Sequence, residues 1–260
     1  MSGILDLDNI EHPDFSAPFH YHQSHEHPFE NFQVFGERNS GTNFVRELIT
    51  RNTGLPHTGD YGWKHGFPVA VAYHPRTLIV WVVRDPLDWT VSMFKSPHKA
   101  RKSMDLDNFS GFIRSEWDIM VGRNLSTWRR EWNATVAPDI GPLECMLERH
   151  PITGERFRNV LHMRSWKLLL QRSIHQRETN FLKVNYEYAK ANREEFANRV
   201  RVIAGLSTSS EIDTVTDRVS GARRDPAIDK LDRTIINDED LAFIRGQLDL
   251  SLEKSLGYTV

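Results

Sequence analysis

The sequence has 260 residues, of which 39% are hydrophobic and 26% are charged, a balance that excludes an intrinsically disordered chain. Its 33 Lys and Arg side chains nearly balance 35 Asp and Glu side chains, so the net charge of -2 excludes nucleic-acid binding by bulk positive charge. The single cysteine, Cys145, can form neither an internal disulfide nor a cysteine-based zinc site, which is typical of a reducing compartment.

Residues 1–30 are rich in His, Pro and Asp, and they predict a flexible arm before a single domain over residues 31–260. The arm has several histidines but no cysteine to complete a metal site with them, so we expect no metal function. Its start has neither a basic nor a long apolar segment, and the longest apolar run, 78–83, is far shorter than the ~20 residues of a membrane helix. We expect a cytoplasmic protein with no membrane insertion.

A strand, a glycine-containing turn and a helix follow one another at the start of the predicted domain. Residues 32–35 are β-prone and are followed by Gly36, and residues 36–41 are typical of a turn. From Thr42 the apolar side chains recur with helical spacing, until residues 52–54 end the helix.

A second strand and helix follow in the same order. Residues 77–83 are apolar and largely β-branched, which suits a central parallel strand covered on both faces. Asp85 and Pro86 have the residue types of a helix start. Later segments predict mostly helix over 100–175, a strand at 181–184, and helices at 192–204 and 238–256. Strands alternating with helices predict an α/β fold of three layers, with a central, mostly parallel sheet flanked by helices.

Gly36 and Gly41 have the G-x-x-x-x-G spacing of a P-loop, in which main-chain amides surround a phosphate at a helix N-terminus. A loop for a nucleoside triphosphate continues with Lys and then Ser or Thr, whereas this one continues with Thr42 and Asn43. The cation lies inside the turn, as Arg38. We therefore expect a P-loop-like architecture that binds a shorter anionic group without Mg²⁺; an ordinary structural turn is the alternative.

A second candidate anion site follows the next predicted strand. Arg84 leaves the carboxyl end of that strand, where ligands bind in open α/β sheets, and Ser92 follows about two helical turns later. A guanidinium and a hydroxyl in this arrangement can hold one phosphate, although Arg84 could instead pair with Asp85 or Asp88. Two sites at adjacent strand ends indicate one ligand with two separate anionic groups, such as a nucleotide with a 5′ group and a 3′-phosphate.

In these motifs the sequence resembles the sulfotransferase family that uses 3′-phosphoadenosine 5′-phosphosulfate (PAPS). Residues 38–43, Arg-Asn-Ser-Gly-Thr-Asn, are similar to the family's 5′-phosphate loop, although Asn39 stands where the family has a basic residue. Residues 84–92 resemble its 3′-phosphate motif, with the same step from Arg to Ser. Residues 63–68, Trp-Lys-His-Gly-Phe-Pro, resemble the segment that brings a basic residue and a histidine to the acceptor.

The resemblance implies a PAPS-dependent sulfotransferase that transfers a sulfuryl group to an acceptor hydroxyl or amine of a small molecule or glycan, without a metal. It implies that His65 is the general base and that Lys64 and Arg38 stabilise the leaving oxygen. The residues it implies for binding PAPS are Arg38, Asn39, Ser40, Gly41, Thr42, Asn43, Arg84, Ser92, Arg223 and Arg224. For the last two, a solvated charged loop is the alternative.

Two other functions stay open at the level of the sequence. One is a P-loop kinase or another NTP-binding enzyme, which the missing Lys-Ser/Thr pair disfavours. The other is a non-catalytic module that binds an adenine nucleotide. Outside the motifs, we expect Arg164 and Lys167, one helical turn apart, to lie on a solvated helix face, and the tryptophans of 117–132 to pack between helices or line an acceptor pocket.

Overall fold

The computed structural model describes residues 14–26, 28–97, 100, 104–119, 146–177, 179–215 and 230–260. Within these ranges the strands form one open four-stranded sheet in the order β1-β4-β3-β2. The strands are β1 (Phe19–His22), β2 (Asn31–Phe35), β3 (Thr77–Val83) and β4 (Asn180–Asn185). β2, β3 and β4 run parallel, and β1 is antiparallel to β4. The prediction of an α/β fold with a mostly parallel sheet is confirmed.

Helices follow the parallel strands along the chain. The described α-helices are α1 (Thr42–Thr53), α2 (Pro86–Lys95), α3 (Phe109–Arg114), α4 (Val160–Arg172), α5 (Tyr186–Ala191), α6 (Arg193–Ile203), α7 (Asp238–Gln247) and α8 (Leu250–Ser255). Short 3₁₀ helices lie at Met146–Glu148, Ser173–Gln176 and Arg233–Ile235. Within the described part of the chain, no helix has both the length and the apolar character needed to cross a membrane.

The central strand β3 is buried along its whole length, and its side chains alternate between two apolar clusters. Leu78 and Val80 belong to a cluster with side chains of α1 and α6. Ile79 and Trp81 belong to another cluster with side chains of α4 and α8. Helices therefore cover both faces of the sheet, which explains why this strand is a continuous apolar run rather than an alternating one.

The predicted arm is folded in part, because residues 19–22 form strand β1 of the sheet. β1 pairs with β4 along its length and covers that edge of the parallel strands. Phe15 and Phe19 are buried. The Lys183 ammonium on β4 donates to the carbonyl oxygens of Phe15 and Ala17, which fixes the chain just before β1. Polar residues dominate the composition here, but the two phenylalanines supply the packing.

The predicted helix over 238–256 is interrupted. α7 ends at Gln247, and Asp249 adopts an extended backbone before α8 begins. The Asp249 carboxylate accepts a hydrogen bond from the Leu252 N–H, so Asp249 is the N-cap of a second helix. The capping residue Asp249 therefore divides the amphipathic segment into two helices, α7 and α8.

Candidate anion-binding site

Residues 36–41, the cradle loop, connect β2 to α1 at the carboxyl end of the sheet. Asn39 has a φ of 60° and Gly41 a φ of 88°, both in the left-handed region. Asparagine tolerates this conformation better than most side chains, which gives a physical reason for an asparagine at this position. A Cβ atom on Gly41 would lie 2.1 Å from Cδ2 of Tyr186, so glycine is required where that ring covers the loop.

In the first turn of α1, neither a capping side chain nor an acidic residue competes with an anion for the main-chain N–H donors. The N-cap is Gly41, which offers no side-chain acceptor, and the first turn holds no acidic residue. The first N–H groups of a helix have no intrahelical acceptor, and the helix dipole places partial positive charge there. The Thr42 and Asn43 N–H groups, at the start of α1, can therefore donate hydrogen bonds to an anion.

Ser40 shapes the loop and does not offer its hydroxyl to a ligand. The side chain is completely buried. Its Oγ donates to the carbonyl oxygen of Glu37 over 2.7 Å, and its N–H donates to the same oxygen over 3.2 Å. The family resemblance implies that Ser40 binds PAPS, but both of its hydrogen-bond donors are used inside the loop.

Arg84 leaves β3 and reaches back to the cradle loop. Its Nη1 donates to the carbonyl oxygen of Asn39 over 2.8 Å, and its guanidinium lies 5.1 Å from the centre of the Tyr186 ring. The Nε atom of Arg84 is buried and has no hydrogen-bond partner among the described residues. The alternative pairing of Arg84 with Asp85 or Asp88 does not occur, because both carboxylates bind Arg233 instead, at 2.8 Å and 2.6 Å.

Asn39 also ties the cradle loop to α2. Its Nδ2 donates to the main-chain carbonyl oxygens of Ser92, over 3.2 Å, and Ser96, over 3.0 Å. Arg84 and Ser92, the residues of the second candidate site, therefore both contact one residue of the first site. The structure brings the two candidate anion sites together.

Lys64 supplies a cation at the start of α1. Its ammonium donates to the side-chain oxygen of Asn43, in the first turn of that helix. The main-chain carbonyl of Lys64 accepts a hydrogen bond from the Gly36 N–H over 3.0 Å, so this segment is joined to the beginning of the cradle loop. Burial and the nearby Arg46 lower the pKa of Lys64 to about 8, so the group can titrate near neutral pH.

His65 is held against the same end of the cradle loop. Its Nδ1 lies 2.8 Å from the carbonyl oxygen of Gly36, and since a carbonyl can only accept, Nδ1 carries the proton. The lone pair of the imidazole is therefore on Nε2. Burial and the positive charge of Lys64 hold the pKa of His65 well below its ordinary value, so the ring is neutral at pH 7 and Nε2 carries no proton.

Arg38 pairs with a buried carboxylate. Its Nε lies 3.2 Å from Oε1 of Glu148, and its guanidinium lies 4.9 Å from the centre of the Trp63 ring. Burial alone would raise the pKa of Glu148, but Arg38 and Lys167 hold it below the ordinary value, so the carboxylate is charged. Arg38 is thus partly neutralised, and it lies beside the segment that carries Lys64 and His65.

The expectation of a solvated face for Arg164 and Lys167 is wrong, because both side chains are completely buried. Arg164 donates to both Glu253 and Glu37, and to the carbonyl oxygen of Arg84 over 2.8 Å. A helical-wheel reading could have found this, since the buried face of α4 comprises Val160, Leu161, Met163, Arg164, Lys167, Leu168, Gln171 and Arg172. The two cations thus share a face with apolar residues.

The start of α5 completes the described site. Tyr186 covers Gly41, as noted above, and Glu187 joins two chain segments. Its Oε1 accepts the Asp85 N–H over 3.1 Å, and its Oε2 accepts the Tyr258 hydroxyl over 2.9 Å. Sequence analysis did not assign Tyr186, Glu187 or Tyr258 to the site, because their contribution depends on contacts between distant segments.

Arg223 and Arg224 lie outside the described residues. In the part of the chain that is described, no group of three or more His, Cys, Asp and Glu side chains is placed to hold a metal ion. Comparison with models of known protein families finds no match for this chain, and comparison with curated proteins finds none either. The assignment of function therefore depends on the chemistry and geometry of the residues described above.

Proposed function

We propose that the protein is a PAPS-dependent sulfotransferase with a P-loop-like, three-layer nucleotide-binding architecture. The observation that carries this proposal is the position of Asn39. Its carbonyl accepts from Arg84 and its amide donates to the Ser92 carbonyl, so the loop proposed for a 5′-phosphate adjoins the residues proposed for a 3′-phosphate. A nucleotide with phosphates at both ends of its ribose suits this pair of sites.

The 5′ end of PAPS would bind at the start of α1. The N–H groups of Gly41, Thr42 and Asn43 would donate to the 5′-phosphate, with Lys64 as the adjacent cation. Lys64, which comes from the segment 63–68, thus lies at the start of α1. A triphosphate-binding loop has a lysine at this place within the loop itself. Because Asn43 is committed to Lys64 and has no hydroxyl, it cannot provide the Mg²⁺ ligand that an NTP-binding loop needs.

The 3′-phosphate would bind between Arg84 and the Ser92 hydroxyl. The buried Nε of Arg84 has no partner among the described residues, and a phosphate oxygen would supply the missing acceptor. The Tyr186 ring beside the guanidinium limits the directions in which that side chain can turn. Arg84 is therefore oriented before the nucleotide arrives.

The reaction would use His65 and Lys64 in separate roles. The acceptor oxygen or nitrogen attacks the sulfur of PAPS, and the bond from sulfur to the 5′-phosphate oxygen breaks. The acceptor's proton passes to Nε2 of His65, and the new negative charge on the leaving 3′,5′-bisphosphoadenosine (PAP) is stabilised by the Lys64 ammonium and the α1 amides. Arg38, paired with Glu148, adds positive charge on the acceptor side.

Calorimetry with PAP, 5′-AMP and ATP tests the nucleotide assignment. We expect PAP to bind without Mg²⁺ and more tightly than 5′-AMP, because only PAP fills the Arg84 site. The Arg84→Met variant should lose about 10- to 100-fold of the affinity for PAP and little of that for 5′-AMP, since one charged hydrogen-bonding partner is removed. Arg76→Met is the matched control, because Arg76 is an exposed arginine at the opposite end of β3.

The activity itself is tested by incubation with PAPS and a panel of acceptors, read as the mass gain of one sulfuryl group. ATP binding that requires Mg²⁺ and exceeds PAP binding would favour an NTP-using enzyme instead. PAP binding with no sulfation of any acceptor would favour a nucleotide-binding module.

A further inference from the structure

A cavity of about 950 Å³ lies beside the segment that carries Lys64 and His65. Two loops line it, residues 59–69 and residues 147–154, and neither loop belongs to the cradle. Its apolar wall includes Trp63, Phe67, Val69, Leu147 and Ile152. The volume is at the upper end of the range for small-molecule sites, which are concave and mostly apolar with a few polar groups.

The mouth of the cavity exposes apolar side chains. Val69 is 67% exposed and Ile152 is 73% exposed, and both line the cavity. Single exposed apolar residues are ordinary, but two that face one concave surface from different loops indicate a surface that is covered when a ligand binds.

The loop that carries Ile152 is held by its own hydrogen bonds. Nδ1 of His150 accepts from the N–H groups of Ile152 and Thr153, at 3.4 Å and 3.2 Å. The carbonyl oxygen of His150 accepts from the Gly154 N–H over 2.8 Å. Because Nδ1 acts as an acceptor, this histidine fixes the turn in its neutral form. Ile152 is therefore presented to solvent by an ordered turn.

Trp63 connects this cavity to the proposed reaction centre. The residue lines the cavity, and its ring meets the His65 ring edge to face with 5.7 Å between centres. The Arg38 guanidinium lies 4.9 Å from the centre of the same Trp63 ring. The Trp63 side chain thus lies between a molecule in the cavity and two other residues, the proposed base His65 and the proposed acceptor-side cation Arg38.

We propose that this cavity binds the acceptor of sulfuryl transfer, and that the acceptor is an amphipathic small molecule whose alkyl chain or ring covers Phe67, Val69 and Ile152. The assignment rests on the proposed function. A wholly polar glycan would leave these apolar side chains without a complementary surface. Asp60 and Arg149, which also line the cavity, suit the polar end of such a molecule. Of the tryptophans in 117–132, expected either to pack between helices or to line an acceptor pocket, Trp117 is buried in the core, and Trp128 and Trp132 lie outside the described residues.

A series of n-alkyl β-glucosides from methyl to octyl, each kept below its micelle concentration, tests the apolar part of the site by calorimetry. The sugar is constant and only the chain grows, so an apolar cavity should raise the affinity by up to about fourfold per added methylene. The Val69→Ser and Ile152→Ser double variant should flatten this gradient. Both side chains are largely exposed, so the variant is expected to fold.

Val202→Ser is the matched control, because Val202 is 59% exposed on α6 and does not line the cavity. Its gradient should equal that of the unmodified protein. Two outcomes overturn the acceptor assignment. In one, the affinity of the unmodified protein does not rise with the length of the alkyl chain. In the other, it rises equally in the double variant.

Titration of PAP into the same samples separates this assignment from the proposed function. PAP binding in both the unmodified protein and the double variant, together with a gradient only in the former, supports both. PAP binding with no gradient overturns the acceptor assignment alone. Failure of PAP to bind overturns the proposed function, and the acceptor assignment with it, whatever the glucosides do.

Discussion

Arg164 donates a hydrogen bond from Nη1 to Oε2 of Glu37 over 2.7 Å, and both side chains are buried. The contact joins α4 to the cradle loop. The same guanidinium binds Glu253 of α8 and the main-chain carbonyl of Arg84. Arg164 therefore fixes the distance between the two candidate anion sites, although it belongs to neither.

Replacing Arg164 by Met should destabilise the protein strongly, because Glu253 would stay buried without its cation. We expect a loss of about 3–5 kcal/mol in the free energy of unfolding, measured in urea. Arg51→Met is the control, since the Arg51 pair with Asp213 is exposed and should contribute about 0–1 kcal/mol. An Arg164→Met loss no larger than that of the control would show that the buried contact is not structural.

Glu37→Gln gives a milder change at the other end of this contact. Burial raises the pKa of Glu37 to about 8, against the effect of Arg164, and Oε1 has no hydrogen-bond partner in the part of the chain that the structure describes. Glu37 is therefore largely protonated at neutral pH, and an amide of the same shape should cost much less stability than Arg164→Met. The ranking of the two variants, in one urea series, checks this expectation.

Gly41 and Gly54, at the two ends of α1, allow a steric test of the cradle. Both have positive φ values, so alanine at either position should cost about 1–2 kcal/mol in backbone strain. Only Gly41 has a neighbour in the way, since its Cβ would lie 2.1 Å from the Tyr186 ring, whereas nothing lies within 4 Å of a Cβ at Gly54. Gly41→Ala should therefore also displace that ring from Arg84.

We expect Gly41→Ala to lower PAP affinity by at least about tenfold, the loss of roughly one hydrogen bond to a charged group, and Gly54→Ala to leave it unchanged. Removing the ring in a Gly41→Ala, Tyr186→Ala double variant should restore part of the loss if the cause is steric. Calorimetry with PAP measures all three. Equal affinities in the two single variants would contradict a close-packed cradle.

Local patterns in the sequence were sufficient to predict the central elements. Residues 77–83 form β3 as expected, because a strand covered on both faces buries every side chain and so requires a short, continuous, β-branched apolar run. Asp85 caps α2 as expected, accepting from the N–H groups of Leu87 and Asp88. Both features depend on neighbouring residues alone, so a single sequence contains the information.

Contacts between distant segments could not be read in the same way. Arg38 lies beside Asn39 in sequence, yet its side chain pairs with Glu148, more than a hundred residues later. Arg84 pairs with neither Asp85 nor Asp88, because both carboxylates form ion pairs with Arg233. In each case the charge pattern was visible, but the choice of partner depends on which segments the fold brings together.

Two variants of His65 separate its proposed chemical role from its structural one. Alanine removes both the proton acceptor and the hydrogen bond to the Gly36 carbonyl, whereas asparagine can keep an N–H donor there but is not a base. We expect both variants to lower kcat by about 10²- to 10⁴-fold, the usual contribution of general-base catalysis. The rate is measured by mass gain with an acceptor that the unmodified protein sulfates.

PAP affinity supplies the control for His65. The asparagine variant should bind PAP as the unmodified protein does, and the alanine variant somewhat less tightly, because Gly36 begins the cradle loop. An asparagine variant with an undiminished rate would remove His65 from the proposed mechanism.

Lys64 predicts a dependence of PAP affinity on pH. Its pKa is lowered to about 8 by burial and by Arg46, so the ammonium loses its proton as the pH rises through that value. We expect PAP affinity to fall between about pH 7.5 and 9.5, by about 10- to 100-fold in total, the loss of one hydrogen bond from a charged donor. Lys64→Arg should abolish the fall, since a guanidinium stays charged, and Lys64→Met should bind weakly at every pH.

The same titration has the opposite sign for stability, which keeps the two effects apart. The folded-state pKa of Lys64 is below the ordinary 10.5, so between about pH 8 and 10.5 the unfolded chain binds more protons than the folded one. The contribution of Lys64 to the free energy of unfolding therefore rises with pH over this range, while its contribution to PAP affinity falls. Urea unfolding and PAP calorimetry at the same pH values measure both, each as the difference from Lys64→Arg. A parallel fall in stability and affinity in that comparison would assign the loss of binding to unfolding rather than to the ammonium.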